Sequence, residues 1–189
     1  ETEPCINGVV LTIGAYFGQQ VDRAVETILA GRLADGGWNC WAEHGADVSS
    51  LHSTICVLEG LLDWEQATGG SDAARAARLA AEEYLLDRRL FLRRSTGAVI
   101  DPRFTMTSYP VRWFYDALRG LEYLRRARPD RDPRCAEAVE LVRGKRGANG
   151  LWTLENTHEG PTLFGMEGEM EGFPSRWVTL RALRVLRWW

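Results

Sequence analysis

Two of the three histidines and two of the four cysteines stand close together in this 189-residue chain. Cys40, His44, His52 and Cys56 read C-x3-H-x7-H-x3-C. On a helix, His52 and Cys56 would share one face. Thiolate and imidazole ligands in that number suit tetrahedral zinc. The other reading makes Cys56 a core residue and the rest loop residues. Acid–base chemistry needs a titratable group in an enclosed place. On that ground His52 and Asp116 are the catalytic candidates, ahead of Asp101, Glu155 and His158.

A repeated pair gives a second signal. Tyr109-Pro110-Val111-Arg112-Trp113 is matched by Phe173-Pro174-Ser175-Arg176-Trp177, and Trp113 to Trp177 is an offset of 64. A guanidinium beside an aromatic wall suits a carboxylate or phosphate on an apolar ligand. Alternatively, each Arg bonds a neighbouring loop carbonyl or acid and each Trp fills a slot of the repeat. The run Glu167, Glu169, Glu171 with Met166 and Met170 could hold a cation or form a lid; the plainer reading is a solvated Gly-Glu stretch. G-x-S-x-G and a phosphate-cradling Gly-rich loop are both missing, and no cofactor is assigned.

The elements that must position these residues read as helices almost throughout. Pro4, Pro110 and Pro174 each precede a long apolar run and predict helix starts. The predicted helices cover about 4–17, 20–33, 51–67, 72–92, 110–128, 133 onward and 174–189. Ser49 or Ser50 and Ser71 are the predicted caps of the third and fourth. In the first helix Ile6, Val9, Val10, Ile13 and Phe17 predict a buried, apolar element. Apolar helices near 4, 51, 110 and 174 alternate with one-stripe helices near 20, 72 and 133. That alternation predicts an inner layer backed by an outer one, about three and a half helical hairpins in all.

Composition narrows the class. Hydrophobic content is 45%, charged content 26% and net charge −3, as in an ordinary globular protein. With no basic tract, duplex nucleic acid is not an expected partner. No run of about 18 apolar residues predicts a transmembrane segment. Four scattered cysteines without a C-x-x-C pair favour reduced thiols and a cytoplasmic location, though a disulfide stays open. The length suits one domain spanning 1–189.

The loop units carry a resemblance. Arg23-Ala24 leads through Ile28-Leu29 to Gly36-Gly37-Trp38. Tyr84-Leu85 leads to Gly97, and Arg134-Cys135-Ala136 leads to Gly150-Leu151-Trp152. These units resemble degenerate QW repeats of the squalene–hopene cyclase and protein-prenyltransferase class. The resemblance implies an all-α, α/α-toroid fold, here an incomplete ring. An N-terminal segment ahead of Glu1, or a second copy of the chain, would complete that ring. The family's catalytic motifs do not carry over: D-x-D-D and D-D-x-x-D are absent, and Asp35 and Cys40 lack the prenyltransferase zinc spacing.

In such a fold the inner-helix N-termini face one mouth of a central cavity. The resemblance places Cys5, Asn7, Tyr109, Arg112, Trp113, Tyr115, Arg176 and Trp177 there as ligand-binding residues, and His158, in the long loop after Trp152, is counted with them. The expected function is binding of a hydrophobic, isoprenoid-like small molecule among aromatic side chains. A non-enzymatic helical-repeat module for a peptide or protein partner is one alternative. A zinc-dependent prenyltransferase-like enzyme is another.

Overall fold

The computed structural model describes residues 3–161 and 169–189. Seven α-helices and one two-stranded sheet form among the described residues. The helices are α1 (Pro4–Tyr16), α2 (Asp22–Ala30), α3 (Leu51–Thr68), α4 (Asp72–Leu86), α5 (Ala117–Ala127), α6 (Ala136–Gly144) and α7 (Arg176–Trp188). The sheet pairs β1 (Trp152–Thr153) with β2 (Pro174–Ser175), antiparallel, with Trp152 opposite Ser175. The chain divides into two compact units, Glu1–Leu85 and Leu86–Trp189. No described helix is long and apolar enough to cross a membrane.

In the first unit α1 packs along α3 and touches α2. The predicted apolar stripe of α1 is not its packed face: Ile6, Val9, Val10, Ile13 and Phe17 are all exposed. The packed face carries Cys5, Asn7, Gly8, Leu11 and Gly14. Small residues win because they let two backbones meet. A Cβ on Gly8 would lie 2.3 Å from the Cys56 carbonyl oxygen, and one on Gly60 would lie 2.2 Å from the Gly8 oxygen. Such closeness admits glycine alone. It locks α1 and α3 into one register.

Caps set the other boundaries. Ser71 Oγ accepts from Ala74 N at 3.2 Å and opens α4, as predicted. Ser50 stands at the N-cap of α3 without a side-chain cap bond. Ser49 instead bonds Asp35 through its backbone N–H and its hydroxyl. The fourth helix stops at Leu86, short of 92, because Arg89 and Leu90 take positive φ values of 44° and 70°.

Two helix starts need correction. Helix α5 begins at Ala117, not Pro110, and α7 begins at Arg176, not Pro174. The nucleating groups are caps rather than prolines. Asp116 accepts from Arg119 N at 2.7 Å, and Ser175 Oγ accepts from Val178 N at 3.0 Å. Pro110 lies in a cis Tyr109–Pro110 bond, while Pro174 belongs to β2. In this second unit α5 packs on α6 and α7, and α6 packs on α7.

One anchoring device occurs in both units. Trp38 and Trp152 are fully buried. The Trp38 indole donates to the Ile28 carbonyl near the end of α2 at 2.7 Å. The Trp152 indole donates to the Val142 carbonyl near the end of α6 at 2.6 Å. The backbone N–H of Trp38 donates to Thr54 Oγ1 of α3 at 3.1 Å; that of Trp152 donates to Thr179 Oγ1 of α7 at 2.9 Å. Both acceptor-to-Trp spacings are ten residues. Each indole thus adds a buried hydrogen bond to a carbonyl in the last turn of a helix and ties that end to the first turn of the next apolar helix.

Candidate functional site

In the first unit, the anchored Trp38 fixes the loop that follows it. Two residues on, the Cys40 backbone N–H donates to Ser53 Oγ at 3.1 Å, and the Ser53 hydroxyl donates back to Cys40 Sγ at 3.2 Å. Helix α1 brings Cys5 to the same point, with the two sulfurs 3.0 Å apart. The Cys5 thiol also donates to Glu3 Oε2 at 3.5 Å. Glu3, Cys5 and Cys40 hold their ligand atoms within 4.8 Å of one another, and no other such group of metal-ligating side chains forms among the described residues. No disulfide joins any of the four cysteines.

The two thiols are unequal. The hydrogen bond with Cys5, aided by Ser53 and opposed by burial, pulls Cys40 down to about 6. The same bond, then burial and the charges of Cys40 and Cys56, push Cys5 upward. The contact between the two sulfurs thus favours ionisation of Cys40 over that of Cys5. Beside them lies a cleft of about 110 Å³, lined by Glu3, Asn7, Ile28, Asn39, Cys40 and Glu43 among others.

The four-residue zinc spacing does not close on itself. Cys40 turns to Cys5 and Glu3, while His44 lies exposed on a short 3-10 turn with its ring 5.3 Å from Trp41. His52 sits half-buried in the first turn of α3, beside Ser53. Cys56 is buried in the α1–α3 contact. Sequence spacing missed the real partner because Cys5 is 35 residues from Cys40.

In the second unit, aromatic residues gather in two groups. Tyr109 stacks on Trp177, with centroids 5.6 Å apart and planes 13° apart. The Arg176 guanidinium lies over the same indole at 5.9 Å, and its side chain is 67% exposed. Nearby, Arg176 Nε stands 3.9 Å from Glu169, whose buried carboxylate has no hydrogen-bond partner among the described residues. Burial first, then the charges of Glu169 and Glu122, raise the Tyr109 phenol; Arg181 opposes them. The second group is a stack: Trp113 on Phe114 at 3.9 Å, and Phe114 on His158 at 3.8 Å and 7°. Burial, then Arg103, Arg112 and Arg119, lower His158 below its usual 6.5.

Other candidates have partners within the fold. Arg112 donates to the Gly160 carbonyl at 2.7 Å. Tyr115 is buried, with its hydroxyl on the Leu90 carbonyl at 2.6 Å and its ring edge-on to Phe104. Asp116, fully buried, caps α5 and also accepts from Ser108 N at 3.4 Å. Burial raises its carboxyl, against the pull of Arg181 and Arg119. Asp101 caps a 3-10 turn at Pro102, and Glu155 pairs with Lys145 at 2.6 Å. Met170 and Glu171 are exposed; Met166 and Glu167 lie outside the described residues.

No family profile, curated protein or solved structure matches the chain.

Proposed function

We propose that the chain binds an apolar small molecule with an anionic head, isoprenoid-like in shape, on the aromatic face of its second unit. One observation carries this reading: an exposed Arg176 guanidinium laid over Trp177, itself stacked on Tyr109. The rings offer hydrocarbon a flat, desolvated surface, and the guanidinium offers a phosphate or carboxylate a forked donor. Arg112 takes no part, since loop carbonyls hold it. The α/α-toroid arrangement and kinship with terpene cyclases and prenyltransferases belong to the same proposal, supported by the shared Trp38 and Trp152 anchors. The reading is of binding, with no reaction assigned.

Farnesyl phosphate, farnesol and inorganic phosphate test it through the melting temperature and tryptophan fluorescence. Farnesyl phosphate raises the melting temperature, the other two do so weakly, and Trp177→Ala and Arg176→Ala each remove the shift. An unchanged melting temperature with all three contradicts the proposal.

A helical-repeat module for a peptide or protein partner is the second reading. The exposed stripe Ile6, Val9, Val10, Ile13 and Phe17 on α1 favours it. Its test is sedimentation at rising concentration: association abolished by Ile13→Glu supports it, and a monomer throughout counts against a second copy as the partner.

A further inference from the structure

We propose that Glu3, Cys5 and Cys40 form a zinc site with its fourth position open to the adjacent cleft. This stands independently of the ligand surface in the second unit.

Two thiol sulfurs and one carboxylate oxygen converge within 4.8 Å. Soft sulfur with one oxygen suits zinc and does not suit magnesium or calcium, which take oxygen alone. Three protein ligands with an open fourth position is the pattern of an accessible zinc, not of a closed structural one.

Geometry comes next. Zinc bonds of about 2.3 Å to sulfur and 2.0–2.2 Å to oxygen give tetrahedral edges of roughly 3.8 Å between sulfurs and roughly 3.5 Å between sulfur and oxygen. Cys5 Sγ to Glu3 Oε2 is 3.5 Å, and Cys5 Sγ to Cys40 Sγ is 3.0 Å. The oxygen edge already fits. The sulfur edge opens by under about 1 Å, which a small side-chain rotation supplies. The Ser53 hydroxyl, 3.2 Å from Cys40 Sγ, then orients that thiolate from outside the metal. The cleft of about 110 Å³, with Asn7 and Asn39 in its wall, leaves room for a water on the fourth position.

The second unit supplies a comparison that separates function from fold. With Trp152 and Thr179 in the roles of Trp38 and Thr54, the place of Cys40 falls to Leu154 and that of Ser53 to Val178. Leu154 and Val178 are both buried. The same scaffold therefore stands on apolar carbon. Nothing in the anchoring device calls for sulfur at Cys40.

Elemental analysis of the intact, reduced chain tests the site, joined to the absorption spectrum after exchange with cobalt(II). The expected result is about one equivalent of zinc per chain and a thiolate-to-cobalt charge-transfer band. Cys40→Leu and Cys5→Ala lose both, Glu3→Gln binds more weakly, and Cys135→Ser, a buried cysteine of the second unit, keeps both. The cobalt spectrum of the unaltered chain answers even if a variant fails to fold. Two results overturn the proposal. One is a metal-free chain that takes up neither zinc nor cobalt. The other is a Cys5–Cys40 disulfide, seen in intact-mass and peptide analysis, in the protein as isolated without oxidant.

Discussion

The two units use one anchor for two different surfaces. In each, a buried indole closes the end of a one-stripe helix, and a threonine from the next apolar helix holds the backbone of that tryptophan. Beyond the anchor they part. The first unit continues into Asn39-Cys40 and meets a serine, a second cysteine and a carboxylate. In the second, Trp152-Thr153 pairs as a strand with Pro174-Ser175 and leads into Leu154. A ladder satisfies the backbone there: Leu154 N donates to the Phe173 carbonyl at 2.9 Å. In the first unit a serine hydroxyl does that task for Cys40, and so brings an oxygen to the sulfur. Where strand pairing is given up, side-chain chemistry enters. The second unit places its polar chemistry elsewhere, on aromatic faces beside Arg176.

The strongest way to break the comparison is to remove the anchors. Trp38→Ala and Trp152→Ala are each expected to destabilise by about 3–5 kcal/mol in urea unfolding, since each leaves a large cavity and removes a buried hydrogen bond. A loss confined to one of the two variants would show that the anchors are not equivalent.

Next in size is the cap of α5. Asp116→Ala is expected to cost about 1–2 kcal/mol at neutral pH, whereas Asn caps as well as Asp and stays close to the parent. The pH dependence sharpens this. Burial raises the Asp116 carboxyl above its usual 3.8, so the folded chain keeps a proton that the unfolded chain has released. Its contribution to stability therefore falls as pH rises from 3.8 through the folded value. Asp116→Asn abolishes that slope in unfolding midpoints measured across the acid range.

The smallest effect concerns His158. Its folded value lies below 6.5, so on acidification the unfolded chain takes the proton first. Stability falls as pH drops from 6.5 through the folded value, with a shallow slope because the ring is only half-buried. His158→Gln flattens it, and a melting curve unaffected by pH in the parent would contradict the stacked, neutral imidazole.

Much of this was legible in the residues, and the failures are instructive. Gly-x-Trp put Trp38 and Trp152 at matching points of two loop units, and both indoles bond a carbonyl near the end of the preceding helix. Ser71 was readable as a cap, since a local side-chain bond depends only on neighbours. The buried face of α1 was not readable from hydrophobicity. Backbone closeness at Gly8 and Gly60 decided it, and apolar side chains were left outside. Pro110 and Pro174 misled because proline suits a turn or an edge strand as well as a first helical turn. The Cys5–Cys40 meeting depends on helix register and on a loop fixed by Trp38, neither of which a spacing rule contains. Glu169 looked like one acid in a solvated run, and its burial beside Arg176 comes from the fold around it.

If the sulfurs serve the proposed zinc site, the Trp38 anchor holds the first unit together without them. The most direct measurement is the unfolding free energy of metal-free Cys40→Leu beside the metal-free parent. The leucine borrows the residue that stands in the same place in the second unit, and the Ser53 hydroxyl still accepts the backbone N–H at position 40. The account predicts stability within about 1 kcal/mol of the parent, or above it, since burying a Leu contributes about 1.5–3 kcal/mol in full. A loss of about 3 kcal/mol or more, the size of a broken core, would contradict it and make Cys40 a structural residue.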